Sequence, residues 1–285
     1  MGDICYTDAD QRRIWRVVPD LIRARELLLD LTRKDLRAKY RYTLMGFAWA
    51  VLEPLALMLI LSFVFTFVFV DKTAILSGGE GRPFAVTLLC GLVPWQFLAH
   101  TLATGTRSLV VYQNLVNKVH FPREIVPLST VITALVNLAI GLIELLVVHL
   151  ILGGSLGLGI LWFPVALAIQ VVLVSGLVLL LSCAFVFFRD IDPMVYIAVV
   201  FGFYATPIFY PLQLVMNLRA AHPWLVNLYL LNPMAELVTA YRQILFENRF
   251  PDFALLIWPC VAAVACLLTG IVVFRRNSPV FADYL

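Results

Sequence analysis

Charged residues are scarce in this chain. Only 14% of its 285 residues are Asp, Glu, Lys or Arg, whereas 62% are hydrophobic. A soluble domain carries about 25% charged residues, because its surface must be hydrated. The composition therefore excludes an ordinary soluble globular protein.

Lysine is rarer still. The chain has four lysines, at positions 34, 39, 72 and 118, and none of them follows a glycine. A P-loop needs a Gly-Lys pair, because the lysine must reach phosphates that are held by glycine amides. No Ser/His/Asp or Cys/His arrangement stands out either. We therefore predict no catalytic residue, no metal ligand and no cofactor bound by this chain.

Ionisable residues inside the apolar segments are few, and the four candidates are Glu53, His100, Glu144 and His149. Ion-coupled carriers usually place such groups near the middle of the membrane. A structural role and proton coupling both remain open for these side chains. The five cysteines show no disulfide pattern, and four of them lie within apolar blocks, which favours buried thiols.

Long apolar segments dominate the chain. The first, Thr43–Val70, has Glu53 as its single ionisable residue, and about 20 apolar residues suffice to span a bilayer. We predict an all-α polytopic membrane protein, with residues 1–42 as a cytoplasmic basic arm and residues 43–285 as the transmembrane domain. The predicted crossings are six, at about 43–70, 84–106, 125–152, 162–188, 194–211 and 253–274.

The distribution of Lys and Arg predicts the sidedness. Of the 21 basic residues, ten precede the first crossing, and sixteen in all fall on the side of the two termini. Because cytoplasmic loops are enriched in Lys and Arg, both termini are expected in the cytoplasm.

The basic arm has the pattern of an amphipathic helix at the membrane interface. Leucines recur at heptad-like spacing among cationic side chains, which can contact anionic lipid. A plain topology-determining anchor and a docking surface for a cytoplasmic partner are both open. The residues that we assign to this interface helix are Arg33, Lys34, Asp35, Arg37, Lys39 and Tyr40.

Residues 212–252 are apolar but interrupted. His222-Pro223 and Asn232-Pro233 break the run, so neither half is long enough to cross. We predict a re-entrant or interfacial hairpin on the outer side, between the fifth and sixth crossings.

Four stretches in order resemble the permease subunit of ABC-2 type polysaccharide exporters, the family of O-antigen, capsule and teichoic acid translocators. They run from residue 33 to the end of the chain, and the ordered set is more specific than any one of them. The stretches are Arg33–Tyr40 with Gly46, Trp49 and Pro54; Asn117–Glu124 with Pro127-Leu128; Arg189-Asp190-Ile191 with Tyr204–Pro211; and Asn232-Pro233 with Tyr241-Arg242 and Phe281-Ala282-Asp283.

This resemblance implies the ABC-2 exporter architecture, a homodimer and two copies of a separate ABC ATPase subunit. ATP and Mg²⁺ would be bound by that partner. The cargo would be a lipid-linked polysaccharide, and the location the bacterial inner (plasma) membrane, in contact with its lipid. Nucleic acid is not expected as a partner.

The resemblance also points to a loop that couples the chain to the ATPase. Pro122 fixes the backbone, Phe121 offers an apolar anchor, and Arg123 and Glu124 offer ionic contacts. An ordinary capped loop is the alternative. The predicted coupling residues are Lys118, His120, Phe121, Pro122, Arg123 and Glu124, with Arg189 and Asp190 as a second, weaker contact.

Aromatic side chains suit a path for sugar, because their rings pack on apolar sugar faces while Tyr and Trp add a polar tip. We single out Trp49 near the inner mouth of a channel and Tyr204, Phe209 and Tyr210 near the outer mouth. Interfacial anchoring is the alternative for each of these residues. The family stretches add Pro211, Asn232 and Arg242 as channel or gate candidates.

Other functions stay open at this stage. Within the family, the cargo could be capsular polysaccharide, teichoic acid, a small lipid or a drug. A membrane enzyme acting on polyprenyl-linked sugars is a further alternative, in which Asp190 and Asp192 would grip a divalent cation.

Overall fold

A computed structural model describes residues 17–41, 45–68, 83–119 and 121–285. Within these ranges the chain forms helices joined by turns and contains no strand, so the predicted all-α class is confirmed. The α-helices are α1 (Val17–Arg23), α2 (Arg25–Tyr40), α3 (Trp49–Phe63), α4 (Phe84–Val111), α5 (Gln113–Lys118), α6 (Ile125–Ile151), α7 (Phe163–Phe187), α8 (Ile191–Tyr204), α9 (Leu212–Met216), α10 (Pro223–Leu230), α11 (Pro233–Phe246), α12 (Phe253–Asn277) and α13 (Phe281–Tyr284).

Several helical segments are long enough to cross a membrane. In the described ranges there are five, counting the short 3-10 or π turns that extend some of them: Trp49–Phe67, Phe84–Val111, Ile125–Ile151, Leu158–Phe187 and Phe253–Tyr284. They correspond to the predicted crossings one, two, three, four and six. The first begins at Trp49, and parts of the predicted 43–70 segment lie outside the described residues. The chain is a polytopic membrane protein.

The predicted fifth crossing is a shorter element. α8 has 14 residues, about 21 Å of helix, whereas the hydrocarbon core is about 30 Å thick. The helix ends at Tyr204 and does not reach residue 211, because Pro207 and Pro211 follow and proline cannot continue a helix. A complete fifth crossing, and therefore a total of six, stays a prediction.

α4 lies at the centre of the bundle, where it contacts α3, α6, α7, α8 and α11. It has 28 residues and α6 has 27, which gives each a length of about 40 Å. Both helices are thus about 10 Å longer than the hydrocarbon core is thick.

α7 and α12 pack backbone against backbone at two glycines. A Cβ atom on Gly176 would lie 2.4 Å from the carbonyl carbon of Cys266, and one on Gly270 would lie 2.6 Å from the carbonyl oxygen of Gly176. Small residues permit such close approach of membrane helices. This contact fixes the last membrane helix on α7.

The basic arm is helical where it is described. α2 packs against α6 and buries Leu31, Thr32 and Tyr40, while Leu29 on α2 and Ile22 on α1 stay exposed. Much of its apolar side therefore contacts protein, and only part of it is left for lipid. Its place at the membrane interface stays a prediction.

Residues 212–252 hold three helices, α9, α10 and α11, with a 3-10 turn between the first two. The Asn232 side chain caps α11 by accepting a hydrogen bond of 3.0 Å from the Met234 amide, and Pro233 occupies the first turn. α11 is largely buried against α4, α7 and α12. Whether this hairpin re-enters the membrane stays a prediction.

Candidate functional site

A polar stripe on α4 is exposed in the single chain. Most of α4 is buried, yet its side chains at His100, Ala103, Thr104, Arg107 and Val111 are exposed. Their spacing of three or four residues places them on one face of the helix. Polar and charged groups within membrane segments normally face the protein interior or a water-filled cavity. This stripe, from His100 to Val111, therefore faces water or another chain.

Two ion pairs flank the polar stripe. On one side, His100 Nε2 lies 3.2 Å from Glu53 Oε1 on α3. On the other side, Arg107 donates from Nε and Nη2 to the two carboxylate oxygens of Asp192 on α8, each at 2.5 Å. A bidentate Arg–carboxylate pair fixes orientation as well as distance. The stripe is thereby attached to the helices on both sides of it.

Next to the stripe lies a polar cleft of about 610 Å³ between α2, α3, α4 and α6. Tyr40 donates a hydrogen bond of 2.5 Å to Asn137 Oδ1, and Tyr112 donates one to Asp35. These bonds join α2 to the cleft wall. The lining residues are Asp35, Lys39, Glu53, His100, Ala103, Thr104, Arg107, Ser108, Val111, Tyr112, Thr130, Thr133, Ala134 and Asn137.

The surroundings of the cleft shift the pKa values of three side chains at its edge. Partial burial lowers the pKa of Lys39, and the nearby Glu53 carboxylate offsets part of this effect. Burial raises the pKa of Tyr40, with a further contribution from Glu53. Burial and the bond to Asp35 raise the pKa of Tyr112. Both tyrosines are therefore neutral hydroxyl donors at physiological pH.

The depth of the cleft follows from the helix rise. His100 lies 16 residues from Phe84, and Asn137 lies 14 residues from Ile151. These separations correspond to about 24 Å and about 21 Å. Phe84 and Ile151 are at one end of the bundle, and Leu109 and Ile125, at the other end of the same helices, lie in one cluster with Phe281. With Phe84 and Ile151 at one boundary of a core about 30 Å thick, the level of His100 and Asn137 would be in the third of the core nearest α13, and the cleft would open beyond the core at Val111.

A group of aromatic rings lies near the other end of α3, α4 and α8. The ring centroid of Phe209 is 5.8 Å from that of Phe65, 6.1 Å from that of Phe203 and 6.3 Å from that of Tyr204. Trp95 on α4 lies 6.3 Å from Phe203. These five residues form the aromatic cluster.

The turn that carries Phe209 is held by polar side chains from the hairpin. Arg242 donates hydrogen bonds to the carbonyl oxygens of Ile208 at 2.6 Å and Tyr210 at 2.9 Å. Asn232 donates to the carbonyl of Ala205 at 3.0 Å and to Thr206 Oγ1 at 2.8 Å. Arg242 is buried and Asn232 is half-buried. Their predicted part in a channel or gate stays a prediction, and in this structure they position the turn.

The other channel candidates are more accessible. Trp49 is 50% exposed and Tyr204 is 64% exposed, whereas Tyr210 and Pro211 are half-buried. The Tyr210 hydroxyl donates to the Tyr204 carbonyl at 2.8 Å. The structure therefore brings Tyr204, Phe209 and Tyr210 together but leaves Trp49 apart from them, at the start of α3.

The predicted coupling loop is mostly turned inward. Phe121 and Glu124 are each 4% exposed and Pro122 is buried, while Arg123 donates a hydrogen bond to the carbonyl of Ser278. His120 lies outside the described residues. A partner that docks on this end would first meet α5, whose exposed residues include Lys118 and, beyond our prediction, Gln113, Asn114 and Asn117. The coupling role itself stays a prediction.

The second contact candidate lies between α7 and α8, where Arg189 and Asp190 are exposed. Asp192, two residues further on, binds Arg107 through both carboxylate oxygens. In the part of the chain that the structure describes, no group of three or more His, Cys, Asp or Glu is placed to hold a metal ion.

Sequence reasoning did not identify Arg107 as a site residue. It is a charged residue near the end of an apolar helix, which is a signal for function. However, its partner Asp192 is 85 positions away, and a pairing over such a separation cannot be read from one sequence.

Known proteins are similar in sequence to this chain over most of its length. A family model described as ABC-2 type transporter matches residues 26–246. The O-antigen export system permease protein RfbA of Myxococcus xanthus is 30% identical over 268 residues, which cover 94% of this chain and 98% of that protein. Two proteins of the same name from Klebsiella pneumoniae are 26% and 25% identical over 261 residues, covering 91% of this chain and 95% of each relative. The chain belongs to the ABC-2 type transporter family.

Proposed function

We propose that this chain is the permease subunit of an ATP-driven exporter that moves a lipid-linked, O-antigen-like polysaccharide from the cytoplasm across the bacterial inner membrane. The observation that carries the proposal is the exposed polar stripe on α4, in a chain whose relatives are named as O-antigen export permeases. A hydrated glycan needs a polar path through the bilayer, and the stripe can supply one wall of it.

A second copy of the chain would supply the opposite wall. The helices on both sides of the stripe expose large apolar side chains, such as Phe63 on α3 and Tyr196, Ile197 and Phe201 on α8. Two-fold symmetry would cover these side chains and enclose the stripes of both copies. Without such cover, His100 would face lipid, which is unfavourable.

The chemistry of the face suits sugars. Its polar groups occur in pairs, His100 with Glu53 and Arg107 with Asp192, so they offer donors and acceptors to sugar hydroxyls. The aromatic cluster can pack against the apolar faces of sugar rings. In the proposed path, the polar stripe would meet the sugar nearer the cytoplasm and the rings nearer the outer side.

Energy would come from two copies of a separate ABC ATPase subunit, which bind ATP and Mg²⁺. They would dock on the end that carries both termini, at α5 and at the Arg189–Asp190 turn, which are exposed there. Closure of the ATPases would move these contacts and change the helix packing across the dimer. The hairpin of residues 212–252 would form the outer gate.

The test is a deletion of this gene in its host, followed by measurement of surface polysaccharide. The expected result is loss of surface polysaccharide and its accumulation in the cytoplasm, with recovery by the wild-type gene only when the ATPase gene is intact. Translocation or chemical change of a glycolipid by the purified chain alone in liposomes would contradict the proposal. The composition of the accumulated polymer distinguishes O-antigen from capsule or teichoic acid, and unchanged surface polysaccharide would favour a small lipid or drug as cargo.

A further inference from the structure

α2 presents two different faces. Its inner face is held by the protein, because Leu31 and Tyr40 are buried and Tyr40 is bonded to Asn137. Its outer face carries exposed cations at Arg33, Lys34 and Arg37. We call the row formed by Arg33, Lys34, Arg37 and Arg41 the basic stripe.

The segment that carries the basic stripe has a net positive charge. Residues 30–41 contain five Lys or Arg and two Asp, so this segment alone carries a net charge of +3, equal to that of the whole chain. Asp35 accepts a hydrogen bond from Tyr112 on the inner side. Asp30 lies 3.5 Å from Arg33, with both side chains about 70% exposed, and such exposed pairs are weak.

With Phe84 and Ile151 at one boundary of the hydrocarbon core, as above, the basic stripe would cross the level of the lipid headgroups. Leu31 packs in one cluster with Ile125 and Val126, at the start of α6. Tyr40 reaches Asn137, which lies 12 residues further along α6, a rise of about 18 Å. The upper end of α2 is therefore at the depth of the polar cleft, and its lower end is beyond the hydrocarbon core. Headgroup phosphates occupy the zone between these two levels.

We propose that the basic stripe is a binding site for the phosphate of a membrane lipid in the leaflet nearest the termini. Arginine guanidinium groups bind phosphate oxygens in bidentate fashion, and Arg33 and Arg37 lie one helical turn apart on the same face. The phosphate can come from an anionic phospholipid headgroup or from the diphosphate of a polyprenyl-linked glycan.

The second source rests on the proposed function. Asp35 and Lys39 of α2 line the polar cleft, so the basic stripe and the cleft lie on the same helix. A lipid whose phosphate sits on the stripe keeps its chain in the bilayer and directs its sugar towards the cleft. The stripe would thus select and orient cargo before export begins.

The experiment measures lipid binding by the full chain, purified with its co-expressed ATPase and reconstituted in phosphatidylcholine nanodiscs. Phosphatidylglycerol and a polyprenyl diphosphate are titrated separately. The test variant is Arg33→Gln/Arg37→Gln. The matched control is Arg23→Gln/Arg276→Gln, which removes two exposed cations outside the stripe. We expect the test variant to weaken binding by about fivefold for each cation, about 25-fold in total, and the control to change it little.

Weakened binding of both lipids supports a shared phosphate site. Loss of phosphatidylglycerol alone identifies the headgroup as the source, and loss of polyprenyl diphosphate alone identifies the cargo. The variant Arg33→Lys/Arg37→Lys keeps the charge but not the bidentate geometry, so it should bind more tightly than the Gln pair and less tightly than wild type, which separates charge loss from misfolding.

Binding equal to that of the control pair overturns the proposal. So does reduced co-purification of the ATPase with unchanged lipid binding, which would make the stripe a protein contact. A wild-type gene that does not restore surface polysaccharide, while the test variant still loses lipid binding, contradicts the exporter assignment and leaves the phosphate site standing.

Discussion

Arg275, near the end of the last membrane helix, donates a hydrogen bond of 2.6 Å from Nε to Oε1 of Glu124, 151 positions earlier in the chain. Its Nη2 atom also donates to Oδ2 of Asp20 at 2.9 Å. All three residues are at most 5% exposed. This buried triad joins α1, the loop before α6 and α12, at the same end of the bundle as α5.

Replacement of Arg275 by Met should destabilise the protein strongly. It would leave Asp20 and Glu124 buried without their cation, a situation that costs about 3–5 kcal/mol. The free energy of unfolding in detergent, measured with a denaturant, checks this. Arg276→Met is the control, because Arg276 is exposed. Adding Asp20→Asn and Glu124→Gln to Arg275→Met should recover part of the loss, and no recovery would argue against the ion pairs as its cause.

Arg107→Gln should impair export while leaving the fold intact. The Arg107 side chain is 60% exposed, so its pair with Asp192 contributes at most about 1 kcal/mol to stability. The charge balance of the proposed path would change, and we expect export to fall about tenfold, equivalent to about 1.4 kcal/mol of barrier. Surface polysaccharide and thermal stability are measured together. The exchange Arg107→Asp/Asp192→Arg restores the ion pair and should recover export. Failure to recover export would show that the ion pair is not what export requires.

For export, the aromatic ring of Phe209 should matter more than the volume of its side chain. Phe209→Ala removes contacts with Phe65, Phe203 and Tyr204 and should cost about 2 kcal/mol of stability, because the side chain is half-buried. Phe209→Leu keeps most of the volume, so it should restore stability but not export. Phe253→Ala, at an exposed ring on α12, is the control. Full export by Phe209→Leu would exclude ring stacking on sugar.

Gly176→Val should disrupt the contact between α7 and α12. Its Cβ would lie 2.4 Å from backbone atoms of Cys266, which cannot rotate away, so we expect a loss of about 3 kcal/mol. Ala265→Val, at an exposed position of α12, tests whether valine alone in this region is harmful. The melting temperatures of the two variants in detergent are compared. Equal melting temperatures would show that α7 and α12 can move apart without loss of stability.

Much of the fold could be predicted because the bilayer imposes a simple rule on each segment. The apolar stretches around residues 84–106 and 125–152 correspond to α4 and α6, since any helix that crosses needs about 20 apolar residues. The end of α8 at Tyr204 was missed, because residues up to 211 are also apolar. The helix ends there because Pro207 and Pro211 cannot continue it, although the residues around them are apolar.

The candidate site was harder to predict because its contacts join distant positions. Tyr204, Phe209 and Tyr210 are close in sequence, and the structure does bring them together. In contrast, Arg107 with Asp192 and Asp20 with Arg275 are separated by 85 and 255 positions. Burial also cannot be inferred from residue type, since Glu124 and Arg275 are charged and yet enclosed.

The length of α4 and α6 bears on where the polysaccharide and the ATPase would meet. Each helix exceeds the apolar layer by about 10 Å, and α5 directly follows the long helix α4. Under the proposed function, an ATPase seated on α5 would be held at a distance from the bilayer surface. The gap would leave room at headgroup height for a bulky glycan to approach sideways while its lipid anchor stayed in the leaflet.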